Sequence, residues 1–464
     1  MDASQGSTVL PLACVGPGGC SGFQVPGASG YGVCQCAGTI GDAGGDGTVD
    51  APADAAADRD APPSEWGPVS LSSSPATSFE SETQLAVAPD GTIAVAWIGI
   101  GTRAPGSWIS YRFSSDGGAT FSPIRDVTLP GGLAGSDPAL AVDASGNFYL
   151  AMVGEHLARA TVDYTQIFVA AAPAGTTTFG TPVEVTSSTQ TLTNDHPKIH
   201  VTAAGTIVVA YGEFPSPTST TSVGRAATSL DGGSWQIRTI AGAPYAVGAN
   251  FFWLCEGTGI LYTTYLEETA TESHVALRSS SDDGATWSAA STVVSLATEI
   301  PASLDPGCVA SGDDVWVMYA TSTAPTMDQT LLGSAQTMPV VHVGSRGTVP
   351  DQAAYDALDK AAGALGLLPV LVGDTSGNLV VAYLSGNGEG DTGGSLRYTQ
   401  SSTDAGFAPS VRVDGPLVFT LNRTTSNWLG DYLGAVVSGR RLLLAYPMNA
   451  SGTTDIYFHS ELLP

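Results

Sequence analysis

Leu85-Ala86-Val87-Ala88-Pro89-Asp90-Gly91-Thr92-Ile93-Ala94-Val95-Ala96-Trp97 is the stretch from which the fold can be read. Two apolar runs flank a tight Asp-Gly turn, the pattern of a β-hairpin. The second run recurs along the chain. IAVAW ends at Trp97, FYLAM at Met152, IVVAY at Tyr211, LYTTY at Tyr265, VWVMY at Tyr319, LVVAY at Tyr383 and LLLAY at Tyr446. The intervals are 55, 59, 54, 54, 64 and 63 residues. Most copies follow a turn containing glycine, as at Ser145-Gly146-Asn147, Gly205-Thr206, Gly259, Ser376-Gly377-Asn378 and Ser438-Gly439. Near-continuous apolar character predicts that both faces of these strands are covered.

Each unit continues with a third strand, a polar turn and a fourth strand marked by proline: Pro123-Ile124, Pro182-Val183, Pro339-Val340 and Pro409-Ser410-Val411. Proline suits an outer strand, where a missing N–H costs no ladder bond. Four strands per repeat, seven times over, predict an all-β fold, a seven-bladed β-propeller over residues 65–464. The last unit stops after Asp455-Ile456-Tyr457-Phe458-His459 without a fourth strand. Trp66-Gly67-Pro68-Val69-Ser70-Leu71 is expected to supply it and close the ring, leaving no open sheet edge. Asp351 to Leu365, behind Pro350, has helical spacing and predicts one helix between blades five and six.

Residues 1–64 read differently. Aspartate falls at positions 42, 46, 50, 54 and 58, separated by Ala, Gly and Pro, too little apolar bulk to offset the ordering entropy. This is expected to be a disordered spacer. Ahead of it, Cys14, Cys20, Cys34 and Cys36 suggest two local disulfides in an oxidising compartment, with a zinc site as the alternative. Leu12-Ala13-Cys14 has a likeness to a bacterial lipoprotein cleavage site, and Asp-Ala spacers resemble those of secreted or surface-anchored proteins of high-GC bacteria. The location expected is therefore extracellular or at the bacterial cell surface, with lipid anchoring through the N-terminal segment as one form of tether.

The chain of 464 residues holds 43 acidic and 16 basic side chains, for a formal net charge of −27, and only two lysines, Lys198 and Lys360. That balance argues against nucleic acid or anionic lipid as partner, because both require clustered cations. No run approaches the roughly 20 consecutive apolar residues of a membrane-spanning helix. A monomer is expected, with a glycan or an extracellular protein as partner.

Ser114-x-Asp116-x-Gly118-x-Thr120-Phe121 and Ser280-x-Asp282-x-Gly284-x-Thr286-Trp287 are full copies of one turn motif. Ser229-x-Asp231-x-Gly233-Ser234-Trp235 and Ser402-x-Asp404-x-Gly406-Phe407 are shortened copies. The carboxylate caps turn amides, glycine takes the backbone conformation others resist, and the aromatic plugs between sheets. On these residues the chain resembles the sialidase-like, Asp-box (BNR-repeat) propeller superfamily. The resemblance covers about 400 of the 464 residues and implies that Asp116, Asp231, Asp282 and Asp404 are structural. The chain departs from sialidases in having seven units and no Phe/Tyr-Arg-x-Pro motif near its start. Arg112, Arg225, Arg278 and Arg397 fall on third strands, where an arginine triad does not sit.

Propeller ligands bind where innermost strands begin, around the central channel. Alignment on the glycine turns puts Glu82, Asp137, His196, Asn250, Asp305, Leu368 and Gly430 at one position, flanked by Asp195 and Asp431. Crowded carboxylates repel one another, which raises the pKa of some or invites a cation such as Ca²⁺. Glu82, Asp137, Asp195, His196 and Asp305 are the catalytic candidates; the plainer reading is that Asp-Pro at Asp137 and Asp305 initiates strands. Asn194-Asp195-His196-Pro197 also resembles the His-bearing strand starts of polysaccharide lyases. Arg103, Arg159 and Arg423 are candidates for holding an acidic sugar, Trp428 and Tyr432 for stacking on one, with Asp431 beside them. Glu155, His156, Glu267 and Glu268 join the same rim. Cys255 and Cys308, aligned in blades four and five, are expected to pair.

Three functions are consistent with this pattern: a platform binding glycan or protein at the channel mouth, a carbohydrate-active hydrolase or lyase using the rim carboxylates or His196, and an inert surface head.

Overall fold

The computed structural model describes the chain from Trp66 to Pro464 apart from short segments, the longest being 323–337, 352–364 and 418–428, and short strands between Leu12 and Cys36. Seven antiparallel sheets follow one another along the chain. Blade one comprises Ser78–Val87, Ile93–Gly101, Ser107–Ser114 and Arg125–Asp126. Blade two comprises Ala134–Val142, Phe148–Ala158, Thr161–Ala172 and Val183–Glu184, and blade three Thr193–Val201, Ile207–Phe214, Val223–Ser229 and Gln236–Ala241. Blade four runs through Gly248–Glu256, Leu261–Glu268, Ser273–Ser280 and Ser291–Leu296. Blade five is Gly307–Ser311, Asp314–Met318, Val340–Gly344 and Gly347–Asp351. Blade six is Leu365–Gly373, Leu379–Gly386 and Gly394–Ser402, the last pairing with both Gly406–Phe407 and Val411–Leu417. In blade seven, Gly434–Ser438, Arg441–Met448 and Asp455–Leu462 are completed by Trp66–Ser70, so the N-terminal strand closes the last sheet. The innermost strands pack in chain order, and that of blade seven returns to that of blade one.

The hydrophobic core divides into seven clusters among the described residues, one at each interface between neighbouring blades. Ile93–Gly101 is buried at every position, as a strand covered on both faces requires. The repeated aromatic endings Trp97, Tyr211, Tyr265, Tyr383 and Tyr446 are among the largest fully buried side chains. In the Asp90-Gly91 turn, Ala88 N–H donates to Thr92 O at 2.8 Å and Thr92 N–H to Asp90 Oδ1 at 2.9 Å.

The four third-strand arginines clamp turns and outer strands. Arg112 donates to the carbonyls of Leu71 and Phe121, Arg225 donates to Thr239 Oγ1 on the outer strand at 2.6 Å while pairing with Glu213, Arg278 reaches Ser288 O at 2.7 Å, and Arg397 reaches Ser410. Cys255 and Cys308 form a disulfide joining blades four and five, with Cα atoms 5.9 Å apart.

Three expectations need correction or fall elsewhere. Val340–Gly344 is the third strand of blade five and pairs with Asp314–Met318; the fourth is Gly347–Asp351. Pro339, just ahead of that third strand, accepts from Tyr319 N–H through its carbonyl and gives up no ladder donor. Pro350 lies inside the fourth strand opposite Val341 and opens no helix; the helix expected between Asp351 and Leu365 falls on 352–364, outside the described residues. Upstream, Leu12–Val15, Ser21–Gln24 and Gln35–Cys36 pair as a small sheet, while the spacer from 42 to 64 and the cysteine pairings there lie outside the described residues.

Candidate functional site

The antiparallel order gives the ring two unlike faces. Glycine hairpin turns and Ser-x-Asp turns share one face. The starts of the innermost strands and the loops between second and third strands share the other, at the mouth of the channel.

At the mouth, innermost strands carry a β-bulge between Ser81 and Gln84, Ser136 and Ala139, Asp195 and Lys198, Asn250 and Trp253, and Leu367 and Val370. The first bulged residue takes positive φ in each: Glu82 at 51°, Asp137 at 49°, His196 at 47°, Phe251 at 58° and Leu368 at 48°. Asn250 is therefore displaced by one from the position expected of it; Phe251 is the equivalent residue, because the blade-four hairpin is one residue shorter, pairing Glu256 with Leu261 where blade one pairs Val87 with Ile93. In blade seven Gly430 has φ 87°, and a Cβ there would lie 2.6 Å from Glu82 N. Non-glycine residues in this region are strained, but Phe251 and Leu368 share the geometry with Glu82, Asp137 and His196. The bulge is thus part of the blade architecture, bending each strand at the rim, and chemistry depends on what each blade places there.

The polar side chains converge. His196 Nδ1 lies 3.3 Å from Asp137 Oδ1, and its Nε2 lies 3.8 Å from Asp195 Oδ2, so the imidazole sits between two carboxylates. Phe251 flanks it at 4.6 Å between ring centroids. Lys198, two residues on, places Nζ 2.7 Å from Asp305 Oδ2, 4.0 Å from the Tyr432 ring centroid and 5.1 Å from that of Trp253. Tyr432 donates to Pro138 O at 3.3 Å. Blades two, three, four, five and seven thus meet through their side chains. Lys198, His196, Asp305, Tyr432, Asp137 and Glu82 are all more than nine-tenths buried.

Burial sets the charge states. The Asp137 carboxyl is raised to about 6 by desolvation and by Asp195, against the pull of His196. Glu155, whose Oε1 accepts from Ser136 Oγ at 2.8 Å, is raised to about 7, mostly by burial, with Asp137 and Asp195 adding repulsion. Burial lowers the His196 pKa, yet Asp195, Asp137, Asp305 and Asp431 together carry it above its ordinary value. Desolvation, then Glu82, Asp137, Asp305 and Asp431, hold the Tyr432 phenol far above its usual range. One oxygen from each of Asp137 and Asp195 and one His196 nitrogen lie within 4.8 Å of one another, a spacing that could bracket a cation.

Beside this cluster a pocket of about 360 Å³ opens between blades one and two, lined in part by Leu133, Glu155, His156, Leu157, Asp163 and Tyr164. The His156 and Tyr164 rings stack at 3.8 Å, and His156 Nε2 meets Gln166 Oε1 at 2.6 Å.

The five catalytic candidates, with Asp431 and Tyr432, belong to one electrostatic neighbourhood. Arg103 does not join them: it stacks on Trp108 at 3.9 Å and pairs with Asp126 of the outermost strand of blade one at 2.8 Å. Arg159, Arg423, Trp428 and Asp404 lie outside the described residues. His200 clips blade three to blade four through Glu256 at 3.1 Å. Lys198 escaped sequence reasoning; its signal was there, since one of only two lysines follows His196 on an innermost strand. Trp253 resembled any core aromatic and gave no signal.

On the opposite face, Ser114 Oγ donates to Asp116 Oδ1 at 2.8 Å and Asp116 accepts Thr120 N–H at 2.9 Å; Ser280, Asp282 and Thr286 repeat this at 2.8 and 2.8 Å. Asp231 accepts N–H groups of Gly233 and Ser234 at 2.8 and 3.0 Å. Gly118, at φ 97°, passes so close to Phe458 that a Cβ would lie 2.1 Å from the ring.

No helix among the described residues is long and apolar enough to cross a membrane. No family model and no curated protein sequence matches the chain. Among solved structures, a Dyadobacter fermentans protein of unknown function is similar at 14% identity, covering 86% of this chain and 98% of that one, with a TM-score of 0.50. A Trypanosoma rangeli sialidase in complex with sialic acid is 12% identical over 87% of this chain and 59% of its own, at 0.49. A Penicillium chrysogenum α-L-arabinanase complexed with arabinobiose is 14% identical over 85% and 97%, at 0.45. At these identities the likeness is one of fold: the chain is an all-β propeller of seven blades.

Proposed function

We propose that the protein is a secreted or surface-tethered propeller that binds a glycan at its channel mouth. The observation that carries this reading is the pocket beside the Asp137–His196–Asp195 cluster, with Glu155 lining the one and repelled by the other. A concave site with few polar groups and an aromatic wall suits a small ring-shaped ligand. The disulfide between Cys255 and Cys308 fits an oxidising compartment, and residues 1–64 would serve as the tether. An extracellular protein partner presenting its own sugars would use the same face, with the propeller acting as a monomer.

A second reading, glycoside hydrolysis, is favoured by one observation: Glu155, raised to about 7 by burial and by Asp137 and Asp195, has a substantial protonated share at neutral pH. A general acid must carry a proton at working pH while a partner carboxylate acts as nucleophile or base. Asp195 or Asp137, both close enough to act electrostatically on Glu155, would be that partner. A cation would sit among Asp137, Asp195 and His196, and a nitrogen among these donors suits a transition ion better than Ca²⁺, whose ligands are oxygens.

The test is a glycan-array screen of the full chain, with and without Ca²⁺ and with chelator, monitoring turnover of every binder. Binding without cleavage, weakened in Asp195→Asn, supports the platform. Cleavage lost in Glu155→Gln while binding persists supports the hydrolase. Silence on every glycan overturns both.

A further inference from the structure

The pocket between blades one and two has its own charge pattern. Its ten described lining residues include two carboxyls, Glu155 and Asp163, and one imidazole, His156, but neither lysine nor arginine. Glu155 is more than nine-tenths buried, and Ser136 satisfies only one of its oxygens. Its other oxygen has no hydrogen bond among the described residues. Among the described residues, Lys198 pairs with Asp305, His196 lies between Asp137 and Asp195, and Arg103 pairs with Asp126. The lining therefore offers an acceptor and a negative field, with no described Lys or Arg to meet an anion. The stacked His156 and Tyr164 rings, the former held by Gln166, give one wall a fixed flat surface. A volume of about 360 Å³ is at the small end for ligand sites, room for one or two rings.

We propose that this pocket selects a sugar carrying a free primary ammonium, with the ring against Tyr164 and His156 and the ammonium on Glu155. The assignment rests on the glycan reading above and narrows it from any sugar to an amino sugar. An ammonium brings three donors to an acceptor that has room for them, and a charge-assisted bond in a buried site is about twice as strong as a neutral one. A bound ammonium would hold Glu155 ionised against the burial that raises its carboxyl to about 7; a uronic or sialic carboxylate would meet Asp163 and the Asp137–Asp195 pair at like charge and would drive Glu155 toward its protonated form.

The experiment is calorimetric titration of the full chain, its Glu155→Gln form and its Tyr164→Ala form with four probes: glucosamine, N-acetylglucosamine, glucuronate and lysine amide. Glucosamine is expected to bind about tenfold more tightly than N-acetylglucosamine. That preference should shrink to about twofold in Glu155→Gln, and Tyr164→Ala should weaken both sugars alike. The ranking on the unsubstituted chain stands even where a variant fails to fold. If N-acetylglucosamine or glucuronate binds as well as glucosamine and Tyr164→Ala abolishes it, the ammonium assignment falls and the glycan reading survives. If lysine amide outranks glucosamine, the amino-sugar assignment is overturned in favour of a protein side chain. If no probe binds, the assignment falls as well, and the array screen decides the glycan reading separately.

Discussion

Both faces of the ring gather carboxylates, and the two sets behave oppositely. On the turn face Asp116 is held down to about 2, chiefly by Thr120 and Ser114 donating to it, and Asp231 and Asp282 are lowered for the same kind of reason. At the channel mouth Asp137 is pushed up to about 6 and Glu155 to about 7, chiefly by burial. Glu80, on the mouth side of the innermost strand of blade one, is likewise raised to about 7 by burial. The residue types are nearly the same; what differs is the source of the donors. A turn aspartate brings its own within four residues, whereas a mouth carboxylate depends on other blades and is left partly uncompensated. The turn face is therefore locked and the mouth face is poised.

The sharpest way to break this contrast is to remove the cation the mouth relies on. Lys198→Met leaves the buried Asp305 carboxylate without its ammonium, and losing one partner of a buried pair costs about 3–5 kcal/mol. Urea unfolding should show that loss, and Lys198→Met with Asp305→Asn should recover most of it. A single variant within about 1 kcal/mol of the unsubstituted chain would mean that the centre of the ring is not a closed ionic plug.

The two faces also predict opposite limbs of a pH profile. Glu80 and Glu155 rise from 4.5 to about 7 on folding and Asp137 from 3.8 to about 6, so the folded state binds more protons than the unfolded one between those values. Their contribution is full below pH 4 and lost as pH rises to 7. His196, also raised, acts in the same direction. The turn aspartates are lowered, so theirs is full above pH 4 and lost as pH falls toward 2. Stability should peak near pH 4–5 and decline by on the order of 3 kcal/mol for each raised glutamate on the neutral side. Urea midpoints measured from pH 3 to 8 check this, with Glu80→Gln and Glu155→Gln flattening the neutral limb alone. A maximum at pH 7 would contradict the account.

On the turn face the expected effects are smaller. Asp116→Ala removes an amide cap and should cost about 1–2 kcal/mol, the range for helix caps making the same bonds. Asp282→Ala should match it. Asp231→Ala should cost less, since Ser234 stands where the full motif has a threonine hydroxyl on the carboxylate. Thermal melts of the three variants would rank them, and ligand affinity should not change.

The same distinction explains what could be read in advance. Hairpins, blade count, ring closure and aspartate turns depend on donors and apolar residues close in sequence, and each was legible from spacing alone. The Cys255–Cys308 bridge followed from the alignment of the two cysteines in neighbouring blades. The channel mouth did not yield so fully: Asn250 was set one residue off because the blade-four hairpin, pairing Glu256 with Leu261, is one residue shorter than that of blade one, which pairs Val87 with Ile93. Lys198 finds its partners in blades four, five and seven, which no local window contains. In blade five, a unit without the aspartate turn, the fourth strand was misplaced because Pro339-Val340, read as its marker, opens the third strand instead.

Arg103 gives the smallest effect and the cleanest separation of the two regions. It was a candidate for an acidic sugar at the rim, yet its guanidinium lies on Trp108 and on Asp126, and its side chain is half exposed. An exposed ion pair contributes about 0–1 kcal/mol and an exposed cation–π contact about as much. Arg103→Ala should therefore lower stability by about 1 kcal/mol or less and leave the affinity for glucosamine unchanged within a factor of about two. A larger loss of binding would bring the outer strand of blade one into the site and supply the missing cation, so the pocket would no longer be a purely acidic one. An unchanged affinity would leave ligand recognition to the groups that blade two holds at its mouth, where charge is set by burial and not by a turn.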